Sequence, residues 1–147
     1  MSSFQDTVIA AQDLRDEAKE YGINLSINSD GTISFYHGTS SKNATQIMMD
    51  GFFEGTYFSH DLNITGYCDE SPMYYATVKN KDGVLLKANI DCRYIDFASG
   101  TGEFLLNTKY KPEICIVCNW IKCRFVSNII TSICYKPISD RLIFIFF

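Results

Sequence analysis

Short runs of β-forming residues, each closed by turn chemistry, recur from residue 23 to residue 126, and this rhythm restricts the chain to sheet-containing folds. INLSIN (23–28) and TISFYHG (32–38) alternate apolar and polar side chains about an NSDG turn, the period-two pattern of half-buried strands, and predict a hairpin or two successive strands. FFEGTYFSHD (52–61) is entered through Gly55 and carries three aromatics within residues 53–58. VLLKANID (84–91) follows a KDG turn, and EFLLN (103–107) and ICIVCNWIKCRFV (114–126) complete the series, whereas CRYIDFASGTG (92–102) reads as a Gly and Ser loop.

Helical periodicity is confined to a few places. Val8, Ile9, Ala11, Leu14, Ala18 and Tyr21 recur at near-helical spacing, predicting a helix over about 4–21 with Gly22 as its C-cap. KNATQIMMD (42–50) predicts a short helix, capped by Ser40 or Ser41, presenting an Ala44, Ile47 and Met48 stripe and stopped by Gly51. Residues 63–77 are mixed and partly helical, with Pro72 marking a break or a first turn. The class is α+β in one domain spanning residues 1–147, with a core over about 23–118 and an apolar tail over about 119–147.

Hydrophobic content of 46% and aromatic content of 14% favour sheets and stacking pockets over disorder or coiled coil. A net charge of −4 argues against affinity built on neutralising a phosphate backbone. The start of the chain has neither the basic beginning nor the apolar core of a signal peptide, so a cytoplasmic location, or delivery into a host cytosol, is expected. In the tail, Lys136, Pro137, Asp140 and Arg141 interrupt every stretch of the roughly 20 residues that crossing a bilayer would need. The tail therefore reads as edge strands, or as a surface for a homodimer or partner, and no membrane role is expected. Six cysteines, at 68, 92, 115, 118, 123 and 134, lie mostly in apolar strand-like sequence and read mostly as reduced core residues. Cys115 and Cys118 resemble half of a zinc site, but strand alternation and the lack of a following His leave no metal expected.

Chemistry concentrates at two strand exits. FYHGTS (35–40) sets an imidazole beside a residue with no side chain, which suits a flat ligand held against backbone. GTYFS (55–59) and GEF (102–104) add an aromatic shelf and a carboxylate. The ordered string of FYHGTS, an A-x-x-I-x-x-x-G helix, G-x-YFS and GEF resembles the catalytic core of the diphtheria-toxin and poly(ADP-ribose)-polymerase-like ADP-ribosyltransferases, over roughly residues 33–118. That resemblance implies a split, twisted mixed β-sheet core with peripheral helices around a cleft that takes NAD as substrate.

It also implies roles. Glu103, His37 and Tyr57 would be the catalytic set, and His37, Gly38, Thr39, Tyr57, Ser59 and Tyr67 the NAD-binding set. A carboxylate under the ribose lowers the barrier to breaking the bond to nicotinamide, because the sugar becomes oxocarbenium-like. Glu103 takes that position by resemblance, with Glu113 in KPEICIV the alternative. His37 would hold a ribose hydroxyl on the adenosine side, and Gly38 would offer its N–H and C=O to the carboxamide. Tyr57 would stack on the nicotinamide ring, with Tyr67, or else Tyr74 or Tyr75, on its other face. His60 reads as an exposed histidine at a strand end.

The implied activity is mono-ADP-ribosyl transfer to a macromolecule by a toxin, effector or phage-type modifier. A protein acceptor is expected first and a nucleic acid second. A non-catalytic NAD or ADP-ribose binding module is the competing reading, and an RNA 2′-phosphotransferase is disfavoured because Arg is scarce between residues 16 and 92 and only two His exist.

Overall fold

The computed structural model describes residues 3–62, 71–119, 133–138 and 141–146, with side chains described up to residue 117. Ser3 opens helix α1 (Phe4–Lys19) through a reciprocal capping box with Asp6. The helix lays Ala11, Leu14 and Ala18 on the core and leaves Ile9 exposed, and Tyr21 lies exposed in the turn beyond its end. Its C-cap is Glu20 rather than Gly22.

Strand β1 (Ile33–Ser40) leads directly into helix α2 (Ser41–Asp50), whose N-cap is Ser40: its Oγ accepts from the Asn43 N–H at 3.2 Å. Gly51 ends α2 at φ 86°, and a Cβ there would meet the Tyr110 carbonyl at 2.7 Å, so only glycine suits the site. Strand β2 (Tyr57–Phe58) follows, then a single helical turn, α3 (Pro72–Tyr74), continued by a π-helical turn over Tyr75–Lys79. Strands β3 (Gly83–Ile90), β4 (Ile95–Ala98), β5 (Glu103–Leu106), β6 (Glu113–Asn119), β7 (Ile133–Ile138) and β8 (Arg141–Phe146) complete the order.

Two sheets result, ordered β1-β3-β6-β7-β8 and β2-β5-β4, in a mixed α+β arrangement. Every described strand pairing is antiparallel, where a mixed sheet was expected. The expected hairpin over residues 23–37 shrinks to one bridge, Ile27 with Ile33, because Asn28 and Thr32 close a tight turn before a ladder can build. The FFEGTYFSHD stretch gives a two-residue strand plus isolated bridges at Phe52 and Ser59. The Gly and Ser loop expected over 92–102 instead holds β4, since Ile95 and Phe97 alternate inward against β5. The tail residues that are described form a β7–β8 hairpin at the far side of the larger sheet. No helix among the described residues is long and apolar enough to cross a membrane.

Aromatic rings join the two sheets. Phe35 of β1 lies 4.8 Å from Phe104 of β5 and 6.4 Å from Phe58 of β2, and Phe104 lies 5.1 Å from Phe97 of β4. Phe35, Phe52 and Phe104 are fully buried. A smaller cluster of Leu62, Met73, Ala76, Leu85 and Val117 seats the Pro72–Lys79 segment on β3 and β6. Cys92 is a free, buried thiol whose pKa burial pushes up to about 12. Cys115 is disulfide-bonded, so the reading of reduced thiols fails there, and an oxidised sulfur offers no thiolate to a metal.

Candidate functional site

The site begins at the seam between the sheets. Tyr36 of β1 donates its N–H to the Ser59 carbonyl at 2.8 Å, and Ser59 donates back to the Tyr36 carbonyl at 3.0 Å. Beyond that pair β2 has no further rung on β1, and a cleft of about 880 Å³ runs along the freed edge. It is lined by β1, α2, the β2 segment, the Pro72–Asn80 turns and the start of β5.

His37 spans the same seam with its side chain: Nδ1 sits 2.8 Å from the Tyr57 carbonyl. A carbonyl only accepts, so Nδ1 carries the proton and the neutral ring keeps Nε2 as an acceptor. Burial, with Phe52 at 5.8 Å and Phe58 at 5.6 Å, is the largest influence and lowers the imidazole pKa, against an opposing push from the Tyr57 carbonyl. The ring is neutral at pH 7, suited to accept from a hydroxyl.

Gly38 has a structural reason to lack a side chain that differs from the expected one. A Cβ would lie 2.0 Å from the Pro72 carbonyl oxygen and 3.0 Å from the Ala76 nitrogen. The Pro72–Lys79 segment occupies that face, so the glycine admits a helical turn where sequence suggested a ligand. Its polar groups remain relevant: residues two apart in a strand point the same way, so the N–H and C=O of Gly38 share the edge that Tyr36 turns to Ser59. At Gly38 that edge borders the cleft.

Tyr57 lines the cleft with about half its surface exposed (52%). Thr39 and Ser59 are buried lining residues, and Ser59 Oγ accepts from the Asp61 N–H at 3.2 Å. Tyr67 lies outside the described residues; Tyr75 lines the cleft and Tyr74 does not. Glu103, half-buried at the start of β5, lines the cleft, and one step past the Phe58–Phe104 pair the register sets it across from Ser59. Glu113 opens β6 opposite Asn89 on the larger sheet and is not among the described lining residues. The structure thus brings His37, Gly38, Thr39, Tyr57, Ser59 and Glu103 to one cavity.

His60 is half-buried rather than exposed, lies 6.3 Å from Phe104, and has a buried Nδ1 with no hydrogen-bond partner among the described residues. Desolvation lowers its pKa, against the Asp61 carboxylate. Sequence reasoning passed over Tyr36, Phe53, Lys79 and Asn80, all of which line the cleft. Burial, then the Asp61 carboxylate, raises the Tyr36 phenol pKa. Only the TVKN helix exit before the KDG turn could have flagged Lys79, and it carries no chemical signature.

No protein-family model matches the chain, and neither does any curated protein or solved structure.

Proposed function

We propose that the chain is an NAD-dependent mono-ADP-ribosyltransferase of the diphtheria-toxin and poly(ADP-ribose)-polymerase-like type, acting in a cytosol as a toxin, effector or phage-type modifier. One observation carries the reading: an imidazole, a strand-edge glycine, an exposed tyrosine and a carboxylate, from segments as distant as residues 37 and 103, line one cleft.

In the proposed reaction NAD is a substrate. The bond between ribose C1′ and the pyridinium nitrogen breaks, both electrons pass to that nitrogen, and nicotinamide leaves neutral. Positive charge moves onto the ribose, where the Glu103 carboxylate stabilises it. An acceptor oxygen or nitrogen then attacks C1′ and passes its proton to Glu103. His37 Nε2 accepts from a ribose hydroxyl of the adenosine half, the Gly38 edge pairs with the carboxamide, and Tyr57 and Tyr75 supply flat surfaces for the nicotinamide ring. A protein acceptor is the first expectation, with nucleic acid an alternative.

The test is incubation with labelled NAD and cell lysate, with Glu103→Gln as the comparison. Transfer or NAD hydrolysis by the wild type should fall by about 10²–10³ in the variant, with NAD affinity retained. NAD binding without turnover in either protein would leave a binding module, and no binding at all would end both readings.

A further inference from the structure

Among the described residues lining the cleft, Glu103 is the only carboxylic acid and Lys79 the only lysine or arginine. They lie toward opposite ends. Glu103 is level with Ser59, which pairs with Tyr36 near the middle of β1. Lys79 ends the helical segment whose Ala76 sits on Gly38 and Gly83, and Gly83 pairs with Ser40 at the far end of β1. Four strand residues separate the levels of Tyr36 and Ser40, about 13 Å at the usual strand rise. The cleft therefore has its acid toward one end and its lysine toward the other.

NAD has a matching polarity: a positive pyridinium and, beyond one ribose, a diphosphate with two negative charges. We propose that Lys79 is the diphosphate-binding residue of this cleft, so that the pyridinium lies toward Glu103 and the dinucleotide bends at its phosphates, which turn toward the Ser40 end and let the adenosine ribose come back to His37. The inference rests on the proposed use of NAD and adds an orientation to it. Local anchoring supports the assignment. The neighbouring Asn80 amide donates to the Tyr75 carbonyl at 2.7 Å, which fixes the exit of the turn and hence the backbone that carries Lys79. The same segment also brings Tyr75 to the cleft, so ring and phosphate contacts would arise from one segment.

The test is calorimetry with NAD, ADP-ribose and nicotinamide as separate probes, on wild type, Lys79→Met and Lys79→Arg. Lys79 is exposed, and equal melting temperatures check that the fold is kept. Lys79→Met should bind NAD and ADP-ribose roughly five- to tenfold more weakly, bind nicotinamide as the wild type does, and lose part of the salt dependence of ADP-ribose binding; Lys79→Arg should restore it. Equal ADP-ribose affinity in wild type and Lys79→Met overturns the assignment while leaving the use of NAD standing. A wild type that binds nicotinamide but not ADP-ribose also overturns it. A wild type that binds none of the three removes the proposed function and this inference with it.

Discussion

Gly38→Ala tests what holds the wall of the cleft in place. Gly38 lies in strand β1, so alanine there brings no backbone strain and the whole penalty is steric. The new Cβ would stand 2.0 Å from the Pro72 oxygen, 2.9 Å from its carbon and 3.0 Å from the Ala76 nitrogen, against 3.4 Å or more for ordinary contact. All three are backbone atoms, so no side chain can swing aside and the whole Pro72–Lys79 segment has to retreat from β1. Overpacking of this kind costs about 1–3 kcal/mol, and the lack of any yielding group sets it near 3, or roughly 6–12 °C in melting temperature for a chain of this size. The retreat would also carry Tyr75 and Lys79 away from the cleft, and with them the contacts proposed for NAD. Thermal and urea denaturation measure the first effect, with Gly100→Ala as control, since nothing lies within 4 Å of a Cβ there and its stability should change by less than about 0.5 kcal/mol. A Gly38→Ala protein as stable as the Gly100→Ala protein would refute the close approach of the helical turn.

Two further outcomes follow from the same structure. Ser40→Ala removes the oxygen that caps α2 at the Asn43 N–H and should lower stability by about 1 kcal/mol; an unchanged urea midpoint would exclude the cap. His37 and His60 both have pKa values lowered below the ordinary 6.5 by burial, so their contribution to stability is complete above that value. As pH falls below it, the unfolded chain binds protons that the folded chain refuses, and stability declines toward the folded pKa values. Denaturation at about pH 7.5 and about pH 5.5 should show this loss, and His37→Gln should reduce it; a flat profile between those values would contradict the burial of both rings.

Local pattern carried much of the fold. The capping residue Ser40, the stop at Gly51, the Pro72 first turn and strands β1, β3 and β5 all stand near where periodicity and turn chemistry put them. Failures came where tertiary pairing overrode local signal. Ile95–Ala98 is a strand only because β5 lies beside it, and a four-residue alternation next to Ala-Ser-Gly is too short to announce itself. INLSIN alternates well, yet among the described residues all but Ile27 finds no partner strand. At the site, His37, Tyr57 and Glu103 were legible as an ordered string, whereas Lys79 was not, because its place depends on how Ala76 seats on two glycines far apart in sequence.

That dependence explains why a cleft exists in this chain at all. A sheet edge normally keeps its neighbour through a run of backbone rungs, and β1 gives β2 one reciprocal pair, at Tyr36 and Ser59. Next to it, the His37 ring takes the Tyr57 carbonyl in place of a backbone donor, so the sheets stay joined while, among the described residues, no strand pairs with the β1 edge from Gly38 onward. Packing of Phe35, Phe58 and Phe104 behind the seam keeps the separation from closing. His37 is thus a structural pin through Nδ1 and a free acceptor through Nε2. Protonation would add a proton only at Nε2, leaving the Tyr57 bond intact, so acid would remove that acceptor before it loosened the seam.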